Sequence, residues 1–183
     1  MFSKNIVAIL LSCIVIFASA ICSAESYGKP TVAVIPFNDQ SIRQGIMNEE
    51  NSEMIRANVE TDIVQTGKFR SLTRTDIQRL LDEIKLNNTA LFDPSTAAKY
   101  GKMVGAKYLV LGTINGLGTK KGNKYVAHLS LRMIEVETAE IFLAGRGQGQ
   151  SSSDSFDALE KAAEDALSGE RGMLTMLLGR GRR

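Results

Sequence analysis

From Tyr125 to Gly149 the chain alternates with a period of two, and this constrains the fold more than any other feature of the sequence. Tyr125, Ala127, Leu129, Leu131 and Met133 take every second position, with more polar residues between them. Such spacing puts one set on one face of a β-strand and the other set on the opposite face. Glu137-Thr138-Ala139 interrupts the pattern as a turn, and Ile141 and Leu143 restart it. The same face then continues as Gly145, Gly147 and Gly149. Two alternating strands joined by a short turn form an antiparallel pair. A glycine face lets another backbone come close, either a helix of the same chain or a second chain. These three glycines are therefore a candidate interface, with an internal helix as the competing occupant.

The segments before this pair supply the rest of a sheet and its helices. Thr31-Val-Ala-Val-Ile-Pro36-Phe37 is β-rich, and Pro36, which has no N–H to give a ladder, ends that strand or places it at an edge. Asn38–Asn51 reads as a polar loop running into a helix. Ile55, Val59, Ile63 and Thr66 share a helical face with Arg56 and Asp62 off it, and Gly67 follows as a C-cap. Lys68–Leu72 reads as a short strand. Thr75 to Gln78 has the spacing of a capping box, ahead of an apolar stripe at Ile77, Leu80, Leu81, Ile84 and Leu86. Asp93-Pro94 predicts a helix start, with a carboxylate cap and proline at the first helical position, and Gly105-Ala106 marks its stop. Tyr108–Ile114, with Gly112 inside it, is a third strand, and Gly116–Asn123 reads as a hairpin loop. Phe156, Leu159, Ala163 and Ala166 make a last helical face. The expected order is β-α-β-α-α-β-β-β-α, an α/β fold. Its mixed sheet carries a C-terminal antiparallel meander packed by helices.

The N-terminus reads as an export signal. Lys4 is the positive region, Ile6–Phe17 the apolar region, and Cys22-Ser-Ala24 a small-x-small cleavage site that leaves Glu25 first. Bulky Ile21 in Ser19-Ala20-Ile21-Cys22 makes a poor lipid-attachment site, so an outer-membrane tether through Cys22 is the minor alternative. Cleavage removes both cysteines, Cys13 and Cys22, which excludes thiol and zinc-thiolate chemistry from the mature form. The expected organisation is a signal peptide over 1–24, a lead-in over 25–30, one α/β domain over 31–170 and a basic tail over 171–183. In that tail, Met173–Leu178 followed by Arg180, Arg182 and Arg183 reads either as an amphipathic end for an anionic surface or as a solvated tail.

Little in the sequence carries chemistry. The chain has 22 basic and 20 acidic residues, a balance that gives no electrostatic case for a nucleic-acid partner. His128, the single histidine, lies among alternating strand residues without a nucleophile motif around it. Glu135 and Glu137 share a strand face at a turn, where solvated charges are ordinary. No cofactor or metal is expected. The glycines at 145, 147 and 149 have strand spacing, unlike a phosphate-cradling loop.

Four blocks in order resemble the CsgG-like family of curli production assembly/transport components, whose relatives include LpoB-type activators of penicillin-binding proteins and the TolB N-terminal domain. They are Thr31-Val-Ala-Val-Ile-Pro-Phe-Asn-Asp39; Gly67-Lys-Phe-Arg-Ser-Leu-Thr-Arg with Leu80-Leu-Asp-Glu83; Asp93-Pro-Ser-Thr-Ala-Ala98 through Tyr108-Leu-Val-Leu-Gly112; and Leu131 to Ile141. Pro36, Asp93, Pro94, Gly105, Ala106 and Gly112 are the structural positions of this pattern. Lys107 and Ala139 depart from it, standing where the family usually has aspartate and glycine. The curli channel adds two long membrane hairpins, and Gly116–Lys124 and Gln148–Asp157 are too short and polar to serve as them. The resemblance implies a non-enzymatic periplasmic factor that binds other envelope proteins, itself included, in assembly or secretion. An LpoB-like activator of a penicillin-binding protein is the alternative, and a small hydrolase using His128 is a third reading.

Overall fold

The computed structural model describes residues 28–40, 49–73, 75, 77, 78, 93–120 and 124–180. The expected leader, Cys22, Leu80, Leu81, Ile84, Leu86, Arg182 and Arg183 lie outside them. In chain order the elements are β1 (Thr31–Val34), β2 (Asn38–Asp39), α1 (Glu49–Gln65), β3 (Arg70–Ser71), α2 (Pro94–Met103), β4 (Tyr108–Lys120), β5 (Lys124–Glu135), β6 (Glu140–Ser151), α3 (Ser155–Ser168) and α4 (Met173–Arg180). Thr75, Ile77 and Gln78, at the start of the expected second helix, are helical.

The strands form one mixed sheet in the order β3-β1-β4-β5-β6, with β2 also on β4. β1 is parallel to β3 and β4, and β4, β5 and β6 form the antiparallel meander. Parallel strands are covered on both faces, which is why β1 is a nearly continuous apolar run. Its residues divide accordingly. Val32 and Val34 enter a larger core with α1, α3 and α4, whereas Ala33 and Ile35 enter a smaller one with α2. Beyond Val34 the Ile35 N–H still reaches Val110 O at 3.0 Å, and Pro36 then ends the ladder.

Three segments differ from the sequence reading. Asn38–Asp39 is strand rather than loop, paired with Thr113 and Ile114 of β4. Gly116–Lys120, read as part of a hairpin loop, continues β4 after a bulge between Ile114 and Gly116, paired as far as Lys120↔Lys124. Glycines weaken a strand signal, but a long partner ladder holds them extended. The segment after residue 170 forms α4, and its Met173, Leu174 and Leu177 are buried in the larger core. That core therefore runs past the expected domain end. Met173, Leu174 and Leu177 have helical spacing, but a run of eight residues flanked by glycines carries a weak signal by itself.

Candidate functional site

The glycine face of β6 is occupied from within. A Cβ placed on Gly145 would sit 2.1 Å from Ala166 O, on Gly147 2.0 Å from Ala162 O, and on Gly149 1.8 Å from Ala158 O. All three contacts are to the backbone of α3. The small residues of the two elements interlock: Ala158, Ala162, Ala163 and Ala166 of α3 are buried against the glycine face. Gly145, Gly147 and Gly149 are therefore not an interface for another chain, because α3 fills the space that they open. Of the two readings of that spacing, the internal one holds.

The remaining motif positions are structural as well. Asp93 caps α2, accepting from Thr96 N at 2.9 Å, from Thr96 Oγ1 at 2.9 Å and from Ser95 Oγ. The Ser95 hydroxyl first, then the Thr96 N–H and hydroxyl, hold its carboxyl below the usual range. Pro94 opens the helix. At its end the Ala106 N–H donates to Gly101 O at 2.9 Å and the Gly105 N–H to Lys102 O at 3.2 Å, with Gly105 at φ 69°. That is the paired closure which needs a left-handed residue at Gly105. Gly112 leaves room for Phe37, whose ring would lie 2.5 Å from a Cβ there. The Phe37 that follows Pro36 is thereby seated in the larger core. Ala139 holds φ 60° in the β5–β6 turn, the conformation that explains glycine as the usual residue there.

The residues weighed for catalysis are apart. His128 is exposed on the sheet face away from α3 and faces Gln148 across the ladder. It lines an open cavity of about 430 Å³ with Arg146, Asp165 and Glu170. Asp165 is engaged elsewhere, accepting from the Gln148 N–H at 3.0 Å and so blocking one backbone donor on the outer edge of β6. Glu135 accepts from Thr138 Oγ1 at 3.2 Å within the turn, and Glu137 is exposed.

A groove of about 490 Å³ lies between α1 and α3. Its polar wall carries Asp62, Asp157, Glu160 and Glu164 against one cation, Lys161, and its floor is Ile55, Val59 and Leu167. Burial, and then the charge of Glu164, raise the Asp62 carboxyl above the usual value. Asp157 is lowered, first by the Ser151 hydroxyl and then by Lys161, whose Nζ is 2.9 Å away. Asn58 Nδ2 donates to Glu160 Oε1 at 3.2 Å and ties the two helices across the groove. The arrangement offers apolar contact under a negative rim, which suits a protein segment bearing Lys or Arg. No run of sequence shows it, because its two walls lie about a hundred residues apart.

Arg56 is the polar residue that helix periodicity misplaced. It is 5 % exposed, pairs with Glu53 at 2.8 Å and Glu60 at 2.5 Å, and donates to Val34 O at 3.3 Å. Ser71 Oγ also donates to Glu60. The cluster ties α1 to β1 and β3. Its signal lay in the spacing, since Glu53, Arg56 and Glu60 are one turn apart on one helix face.

Fold and site together define a class: an open-sheet α/β domain with its meander under a helix and a groove on the helical side. The sequence profile of the curli production assembly/transport component CsgG matches residues 17–162, and the chain belongs to this family. No curated protein sequence gives a significant match. Among solved structures, the chain is similar to the LpoB C-terminal domain from Salmonella enterica, at 19 % identity and TM-score 0.51, covering 73 % of this chain and 92 % of that one. A lipoprotein from Neisseria meningitidis matches at 13 % identity and TM-score 0.54, covering 83 % and 96 %. LpoB from Escherichia coli matches at 20 % identity and TM-score 0.51, covering 66 % of this chain and 57 % of that one. At these identities the likeness is one of fold. No helix among the described residues is long and apolar enough to cross a membrane.

Proposed function

We propose that this chain is a non-enzymatic factor of the cell envelope, exported to the periplasm, that binds other proteins in assembly or secretion. The observation that carries the reading is the family match over residues 17–162 on a fold with short joins at the two places considered for membrane hairpins. Strand β4 passes to β5 through residues 121–123 alone, and β6 passes to α3 through residues 152–154. A membrane strand needs about nine to eleven residues with an apolar outer face. The accessory role therefore fits better than the channel role. The α1–α3 groove is the surface that fits a partner best.

An LpoB-like part, activating a penicillin-binding protein, is the second reading, favoured by the LpoB domains among the similar structures. Deletion in the native cell separates the two. Loss of an exported or surface-assembled product with unchanged peptidoglycan crosslinking supports the first. Reduced crosslinking with normal export supports the second. Unchanged export, assembly and crosslinking together overturn both. The mass of the mature N-terminus reports the export mode: Glu25 first means cleavage after Ala24, and a diacylated Cys22 means a lipid tether.

A further inference from the structure

At the outer edge of β6, three arginines line one concavity. Arg132 of β5 and Arg146 of β6, on the face away from α3, and Arg171 of the α3–α4 turn line a cavity of about 280 Å³, with Ser130, Ala144 and Met176 among its other lining residues. Ser130 stands directly across from Arg146 and Ala144 across from Arg132, so the two strand arginines are diagonal neighbours on one face. No aspartate or glutamate lines this cavity. None of the three arginines forms an ion pair or hydrogen bond among the described residues. Asp165 and Glu170 line the adjoining cavity, to which Arg146 and Arg171 also contribute, and Asp165 is bound to the Gln148 N–H. Gathering like charges on neighbouring strands costs stability, and nothing in the fold requires it.

We propose that this cavity binds a phosphate-bearing anion. A guanidinium meets planar or tetrahedral oxyanions through two parallel N–H bonds. One carboxylate satisfies one such fork, whereas a phosphate monoester carries about two charges and three acceptor oxygens, enough for three forks. Ser130 adds a fourth donor. Asn115 Nδ2 donates to Ser130 Oγ, which leaves the Ser130 proton free to point into the cavity. At about 280 Å³ the space holds a phosphate and the few atoms next to it, which is headgroup size. Met176, 43 % exposed, offers an apolar contact at the rim.

The test uses the mature full chain and its variants R132Q, R146Q and R171Q, with R70Q as an exposed control on the far edge strand β3. All four positions are exposed, and thermal melts confirm that the variants are folded. Pyrophosphate, titrated at constant ionic strength, probes soluble phosphates. Phosphatidylcholine vesicles with one fifth phosphatidic acid probe a lipid headgroup. The expected result is saturable binding to at least one probe, weakened about tenfold by each cavity variant and unchanged by R70Q. Pyrophosphate without vesicle binding identifies a soluble phosphate compound as the source, and vesicle binding without pyrophosphate a lipid headgroup. Absence of saturable binding to both overturns the proposal. So does equal weakening by R70Q, which means diffuse charge, and so does tighter binding of an acidic peptide than of either phosphate probe.

Discussion

Replacing Gly147 by alanine tests the internal role of the glycine face with a single methyl group. That Cβ would lie 2.0 Å from Ala162 O and 2.3 Å from Ala166 N, both backbone atoms of α3. Ordinary contact begins at 3.4 Å, so α3 must move away by about 1.4 Å or β6 must bend. Neither is cheap. α3 buries Ala158, Leu159, Ala162, Ala163, Ala166 and Leu167, and lifting it loosens those contacts together. Overpacking of this kind costs about 1–3 kcal/mol, and a backbone clash belongs near the upper end. With a urea slope of about 2–3 kcal/mol/M, the unfolding midpoint should fall by about 1 M. Gly118→Ala is the matched control, since a Cβ there meets nothing within 4 Å, and its midpoint should change little. Equal midpoints for Gly147→Ala, Gly118→Ala and the parent chain would refute the packing of α3 on β6. Loss of association at an unchanged midpoint would restore the interface reading.

Four further outcomes are expected. Ala139→Gly should stabilise the fold by about 0.5–1 kcal/mol, because φ 60° costs alanine more than glycine loses in chain entropy; a lower melting point would contradict this. Asp62→Asn should raise stability at pH 7 by up to about 0.5 kcal/mol, since a raised carboxyl pKa in the folded state means stability falls as pH rises above the ordinary carboxylate value; the gain should vanish near pH 3. Asp93 and Asp157 have the opposite sign: their lowered values give stability that is present above the ordinary carboxylate pKa and lost as pH falls through the folded one, so Asp157→Asn should flatten the acid limb of a midpoint-against-pH plot. Arg56→Met alone should destabilise the fold more than Arg56→Met combined with Glu53→Gln and Glu60→Gln, because the single change strands two carboxylates; urea melts of the single and triple variants check this, and equal midpoints would contradict it.

Local chemistry made much of this fold legible. Asp93-Pro94 and Gly105-Ala106 bracket α2, the alternation from Tyr125 sets β5 and β6, and Ile55, Val59 and Ile63 give the buried face of α1. What stayed illegible depends on partners distant in sequence. Gly116 and Gly118 are held extended by β5, Asn38–Asp39 finds β4, and Arg56 is buried only because Glu53, Glu60 and the Val34 carbonyl meet it. The candidate groove and the arginine cavity have the same origin. Each is assembled from elements that only the folded chain brings together, and no run of sequence contains either.

The proposed binding to other proteins of the envelope has a direct test. Photo-crosslinkers placed at exposed Thr61 of α1 and Glu164 of α3, either side of the groove, test it in living cells. A discrete adduct with an envelope protein is expected at one of these positions, weakened when Glu160 and Glu164 are exchanged for lysine in a Thr61-labelled chain. The absence of any adduct from either position, together with a monomer at every concentration in sedimentation, would contradict it.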